Sequence, residues 1–416
     1  MSLSGKHTYV GFGFGAIQAG LFLTEAFRSG NFRRLVVAEV LPEVVAEIRD
    51  AGGMYSVNVA HADRVETVRI GPIDLYDPAV EADRGELVAA LAEAPEIATA
   101  IPSVTFYENE GPASLHRVLA AGLARRRGPA VVYAAENHNR AAEILGDLVR
   151  RETDPADVQF LNTVIGKMSG LADAPDAHGL ATITPGSERA FLVEAFNCIL
   201  ISKIDLPGFR RGIDVFIEKD DLLPFEEAKL YGHNATHALA AYLARRLGIE
   251  KMADLRDVPG FVPFLRDAFL QESGQALVRK HRGVDDLFTP KGYEKYAADL
   301  LERMTNPHLM DTIERVGRDP RRKLGWDDRL VGTLRLAMSQ GIEPRRYAAG
   351  AAAALAALDD DYLGGGVPAE TLADPIWDTD GPERGRVLAL LEYGRRFIRD
   401  WRDAGYPNLQ DFLSGR

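Results

Sequence analysis

The feature that most restricts the fold is GFGFGAIQAG, residues 11–20, set between a β-branched run, HTYVGFG, and an amphipathic helical stretch, AIQAGLFLTEAFRSG. A strand that turns on glycines directly into a helix is the opening of a βαβ unit. Gly13 and Gly15 permit the tight turn and let the backbone approach a pyrophosphate at the helix N-terminus, with Phe14, Ala16 and Ile17 completing the cofactor loop. The position of a third fingerprint glycine holds Gln18, so the pattern is incomplete and by itself also fits an ordinary tight turn. Glu39 strengthens it. This acid ends the next strand, RRLVVAEV, about 20 residues on, where a carboxylate accepts hydrogen bonds from ribose hydroxyls. It would repel a 2′-phosphate, and Val40 and Leu41 offer no compensating arginine, so the expected cofactor is NAD rather than NADP.

The alternation continues through PEVVAEIRDAGG, EIATAIPS, SLHRVLAAGLARRRG and AVVYAAEN. A Pro-, Gly- and Asp-rich stretch, residues 171–188, interrupts it, and RAFLVEAFNCILI is expected to return to the sheet. Beyond about Asp220 the chain reads as helices with few strand signals. The alanine-rich RRYAAGAAAALAAL is expected to be a close-packed helix. The expected fold class is therefore α/β: a Rossmann-like N-terminal domain with a mostly parallel sheet (residues 1–220), followed by an all-α, substrate-binding C-terminal domain (residues 221–416).

Composition sets the boundaries of function. The 416 residues, 46% hydrophobic, are enough for two or three compact domains, and 49 basic against 61 acidic side chains give a net charge of −12. Neither nucleic acid nor an anionic membrane is an expected partner. A single cysteine, Cys198, excludes an intrachain disulfide and suits a reducing cytosol, so the expected location is cytoplasmic. The nine histidines show no metal-ligand spacing, which disfavours zinc, and no metal is expected. Monomer and small homo-oligomer both remain open.

Near the middle stands KLYGHNATH, in which Lys229, Asn234 and His237 recur at offsets of five and three. On a regular helix Asn234 and His237 are close neighbours, with Lys229 about two turns from His237 on broadly the same side. By itself the stretch also fits a solvated helix face. Together with YAAENHNRA, FLNTVIGKM, QESG and NPHLMDTIERVGRDPRRKLGWDDRL, and in that chain order, it resembles the polyol-specific long-chain dehydrogenases, the family of mannitol-1-phosphate 5-dehydrogenase and mannitol 2-dehydrogenase. The resemblance runs from about Thr8 to Pro344. It implies a metal-independent oxidoreductase that interconverts a polyol or polyol phosphate and a ketose with NAD, most specifically mannitol 1-phosphate and fructose 6-phosphate. It also implies roles: Lys229 as general base or acid, Asn162 and Asn234 holding the reacting oxygen, His237 binding or orienting substrate, and Asn137 near the nicotinamide end of the cofactor. Arg318 and Lys323, in a basic stretch with Arg315, Arg321 and Arg322, are candidates for a substrate phosphate. The family's Asp-Arg after the first asparagine is Gly166-Lys167 here, and the chain continues past the usual end of the shorter enzymes. The readings left open are an unphosphorylated polyol 2-dehydrogenase and a non-catalytic nucleotide-binding protein.

Overall fold

The structure, a computed structural model, describes residues 6–414. It divides into two compact units, one running through Leu223 and the other beginning at Pro224.

The first unit carries two sheets. The strands are β1 (His7–Phe12), β2 (Phe32–Ala38), β3 (Tyr55–Ala60), β4 (Val65–Ile70), β5 (Asp74–Tyr76), β6 (Glu96–Thr99), β7 (Ala130–Ala134), β8 (Val158–Ile165), β9 (Ser169–Asp173), β10 (Arg189–Glu194), β11 (Ile199–Ser202) and β12 (Phe216–Lys219). The larger sheet has the order β12-β11-β8-β7-β6-β1-β2-β5. Its six strands from β8 to β5 are mutually parallel, and β11 and β12 run the other way. Every residue of β6 and β7 is buried, as it must be in a parallel sheet covered on both faces. The chain builds outward from β1 to β2 and β5, then crosses back to start β6 on the other side of β1. The strand order therefore reverses between β1 and β6, and open α/β sheets bind their ligands beyond the carboxyl ends of the strands at such a switch point. Phe12, Ala38 and Thr99 are in register there.

The smaller sheet, β4-β3-β10-β9, corrects one expectation. RAFLVEAFNCILI does not return to a single sheet. Its first half, β10, pairs in parallel with β3, and only its second half, β11, joins the large sheet, antiparallel to β8. The break falls at residues 195–198, where Ala195 N donates to Ala60 O and Lys167 Nζ bonds to Phe196 O and Asn197 Oδ1. The interruption at residues 171–188 likewise begins inside β9.

The second unit is helical, with a single isolated bridge between Lys251 and Thr312 among its described residues. Helix Arg345–Leu355 is buried along most of its length, and small side chains let its neighbours approach closely. A Cβ on Gly350 would lie 2.4 Å from Leu239 Cδ1, and one on Gly394 would lie 2.2 Å from Ala348 O. Among the described residues no helix is long and apolar enough to cross a membrane.

Candidate active site

At the carboxyl ends of β1, β2, β6 and β7 lies a cavity of 620 Å³ whose lining includes Gly13, Phe14, Gly15, Ala16, Ile17 and Glu39. All six expected cofactor-loop residues are thus brought together. Gly13 has φ +84°, a left-handed conformation that costs glycine nothing, and a Cβ there would meet Ala100 O at 2.8 Å. Gly15 faces open space, with nothing within 4 Å of where a Cβ would stand. The loop therefore leaves bare backbone toward the cavity, the cradle that a dinucleotide pyrophosphate needs.

Glu39 is buried, and it does more than line the wall. Its Oε2 accepts from Phe14 N at 2.8 Å, while Oε1 accepts from Val40 N at 2.7 Å and Leu41 N at 3.0 Å. The carboxylate ties the glycine turn to the end of β2 and keeps one of its roughly four acceptor sites, on Oε2, for a further hydroxyl. Gln18, in place of the third glycine, is fully buried; its Nε2 donates to the Tyr9 hydroxyl at 2.8 Å. The room for it comes from Gly11, where a Cβ would lie 1.8 Å from Gln18 Nε2. The glycine stands on the strand rather than on the helix, and the Gln18 side chain fills the space it leaves.

In the second unit, KLYGHNATH lies on one continuous helical run, residues 223–246, whose middle segment, Ala228–Asn234, is a π-helix. Ala235 N donates to Leu230 O, five residues back. This decides the geometry of the motif. In an α-helix residues five apart are rotated by about 140°, whereas a π turn closes on that interval. Lys229 and Asn234 therefore share a face, and His237 follows one α-turn later. The wide turn is packed tightly: a Cβ on Gly232 would meet the Tyr293 hydroxyl at 2.5 Å and Phe269 Cε2 at 2.8 Å. Phe269 itself belongs to a second π segment, Ala268–Gly274, which contains the QESG sequence. The Tyr347 hydroxyl lies 2.7 Å from Thr236 Oγ1 and 3.0 Å from Ser273 Oγ, so one group joins both runs. Glu272 caps helix Arg345–Leu355 through Arg346 N and Tyr347 N.

The electrostatics of this helix face are unusual. Burial pulls the Lys229 amine from 10.5 down to about 8, and the neighbouring Arg329 pushes in the same direction, against Glu226. His233 is held well below the usual imidazole value by burial first, then by His237, Arg303, Lys229 and Arg329. His237 Nε2 lies 3.3 Å from Oδ2 of buried Asp311, which Arg315 also binds at 2.6 Å. Burial alone would raise the Asp311 carboxyl, but His237 and Arg315 hold it at about 2. Lys323 is buried and bonds the Arg318 carbonyl; burial and Arg329 bring it to about 8. The Arg318 side chain is exposed. Arg329, His233 and Asp311 had no role in the sequence reading. All three stand inside the quoted stretches, His233 in KLYGHNATH and Asp311 and Arg329 in NPHLMDTIERVGRDPRRKLGWDDRL, but spacing alone singled out none of them.

Asn162 and Asn137 lie in the first unit. Asn162 Oδ1 accepts from Ala142 N at 2.9 Å and Nδ2 donates to Glu143 Oε2 at 2.8 Å, which anchors β8 to the start of helix Ala141–Glu152. Asn137 is exposed just beyond the end of β7. Lys167 holds Asn197 Oδ1, whose amide in turn donates to Glu25.

A sequence model described as the mannitol dehydrogenase C-terminal domain matches residues 221–386. The mannitol-1-phosphate 5-dehydrogenase of Bacillus licheniformis is 31% identical over 358 residues, covering 83% of this chain and 86% of the relative. The chain belongs to the mannitol dehydrogenase family. The enzyme of the same description from Exiguobacterium sibiricum is 31% identical over 361 residues, covering 85% and 86%. Among solved structures, D-sorbitol dehydrogenase in substrate-free form matches with a TM-score of 0.75 at 15% identity, over 97% of this chain and 94% of that one. The Pseudomonas fluorescens mannitol 2-dehydrogenase complex with NAD and D-mannitol matches with a TM-score of 0.69 at 18% identity, over 100% and 96%. Both support the fold.

Proposed function

We propose that this chain is an NAD-dependent dehydrogenase acting on a secondary alcohol of a polyol, with mannitol 1-phosphate and fructose 6-phosphate as its substrate pair. The observation that carries the reading is Lys229: an amine brought to about 8 by burial, on the same π-turned face as Asn234, in a chain whose curated relatives are mannitol-1-phosphate 5-dehydrogenases. The glycine cradle and Glu39 would hold NAD, which would supply the hydride acceptor. The chain's own residues handle the proton and the oxygen. Neutral Lys229 takes the hydroxyl proton, and Asn234 donates to the oxygen as its charge grows. His237, braced by Asp311, orients the neighbouring hydroxyl. By resemblance to the family, Asn162 is assigned to hold the reacting oxygen and Asn137 to the nicotinamide end of the cofactor. Lys323 and Arg318 provide positive charge for the phosphate. A cytoplasmic location is part of the same proposal.

The test is a panel of mannitol 1-phosphate, fructose 6-phosphate, mannitol and fructose, assayed with NAD(H). The expected result is the highest kcat/KM for the phosphorylated pair. Faster turnover of free mannitol would overturn the phosphate assignment, and no turnover of any polyol would overturn the dehydrogenase itself.

A further inference from the structure

The cavity wall opposite the glycine turn is a loop, and, as Glu39 does for the glycine turn, one buried carboxylate holds it. Residues Ala100, Ile101, Pro102 and Phe106 line the cavity, and Phe106 is 49% exposed at its edge. Apart from the short 3-10 turn Val104–Phe106, such a connecting stretch would ordinarily be free to shift. Here it is fastened from beneath by one carboxylate. Glu136, at the end of β7, is buried; its Oε2 accepts from Thr99 Oγ1 at 2.9 Å and from the Tyr107 hydroxyl, and its Oε1 accepts from Ile101 N at 3.0 Å. Tyr107 is wholly buried and is gripped at its other end as well: its carbonyl accepts from His116 N at 3.1 Å and from Ser114 Oγ at 3.3 Å. The two fastened residues, Ile101 and Tyr107, stand on either side of Pro102 and Phe106.

We infer that Glu136, acting through Tyr107 and Ile101, is a positioning residue that sets the width of the nucleotide cavity. Neither Glu136 nor Tyr107 is among the residues that line it. Their influence must therefore pass through the wall. The tolerance is small, because the Ala100 carbonyl and the Ile101 side chain stand 2.8 and 3.2 Å from where a Cβ on Gly13 would be. An outward drift of the wall would enlarge the gap over the glycine turn, and an inward one would obstruct it. A carboxylate suits the task because it accepts from three donors at once, and a buried charge is tolerable only when so satisfied. The inference rests on the reading of this cavity as the NAD site.

The experiment uses the full-length protein with Tyr107→Phe, Glu136→Gln and the double variant. NADH affinity is followed by fluorescence titration, kinetics by the split between KM for NADH and kcat, and folding by the melting temperature. Each single variant should raise the NADH Kd and KM about tenfold, the scale of one lost hydrogen bond to a charged acceptor. At saturating NADH, kcat should stay within about twofold of wild type, since no reacting atom is touched. The double variant should be little worse than either single one, because both break the same attachment. If a variant is insoluble, Thr99→Val, which removes a different donor to the same carboxylate, is read the same way. Unchanged NADH affinity in folded variants would overturn the inference, as would a fall in kcat with KM preserved. A wild-type protein that binds no NADH would instead overturn the assignment of the cavity, and the inference with it.

Discussion

Lys229→Met removes the amine while roughly preserving the volume of the side chain, so it separates proton transfer from packing. The size of the effect follows from the environment. An amine at 10.5 is neutral in about 0.03% of molecules at pH 7, whereas one at about 8 is neutral in about 9%, a gain of roughly 300-fold in available base. Oxidation of the polyol needs the neutral form, so kcat/KM for oxidation should rise about tenfold per pH unit below 8 and level off above it. Ketose reduction needs the protonated form and should fall above the same value. Arg329 is one of the charges that lowers this amine, so Arg329→Met should move both inflections to higher pH. In Lys229→Met, turnover should drop about 10²-fold or more with NADH binding intact. Steady-state pH profiles in both directions and an NADH titration provide the assay. Near-normal turnover in Lys229→Met, or a wild-type profile without an inflection between pH 7 and 9, would refute the reasoning.

Three further outcomes follow from single contacts. Wild-type kcat/KM should favour NAD over NADP, and Glu39→Ala should erode that preference while also raising KM for NAD, because the carboxylate holds the Phe14, Val40 and Leu41 amides as well; a wild-type enzyme that prefers NADP would contradict the assignment. Gly11→Ala places a methyl group 1.8 Å from Gln18 Nε2 and should cost about 1–3 kcal/mol in chemical denaturation, most of it recovered by Gln18→Ala in the same chain; strictly additive costs would show that the two sites do not compete for space. Lys323→Ala should raise KM for mannitol 1-phosphate at least about tenfold and leave KM for free mannitol nearly unchanged, whereas equal effects on both would argue against a phosphate contact.

The central strands of the large sheet, β1, β2, β6 and β7, were legible because they are covered on both faces, whereas the partly exposed β5, β8 and β12 were not. Burial of that kind demands unbroken apolar runs, and HTYVGFG, RRLVVAEV and AVVYAAEN are such runs. The small sheet was not. β4 is mostly exposed, so VETVRI carries no hydrophobic signature, and β3 finds its partner β10 with Val57 opposite Phe191, far along the chain. Local sequence has no means of announcing such a pairing. RAFLVEAFNCILI shows the same limit: both halves are apolar, and nothing in the pattern says that they serve different sheets.

The site divides along a similar line. The glycines and Glu39 could be placed from spacing alone, because the distance from a turn to the end of the next strand is set by a regular helix and strand. KLYGHNATH could not, because its offset of five fits no regular helix. An α-helix would splay Lys229 and Asn234 apart, and the alignment depends on the π turn at Ala228–Asn234. That turn is a product of packing. Gly232 has no side chain, which lets Phe269 and Tyr293 press against the widened backbone, and Phe269 arrives on a second π segment held by Ser273 and Tyr347. Thr236, on the same helical run as Lys229, bonds the same Tyr347 hydroxyl and the Gly232 carbonyl. The register of Lys229 against Asn234 thus depends on Phe269, Ser273, Tyr293 and Tyr347, distant in the chain and with no chemistry of their own. π turns survive where the surroundings over-determine them, and here two of them, packed against each other and joined through one hydroxyl, supply that constraint.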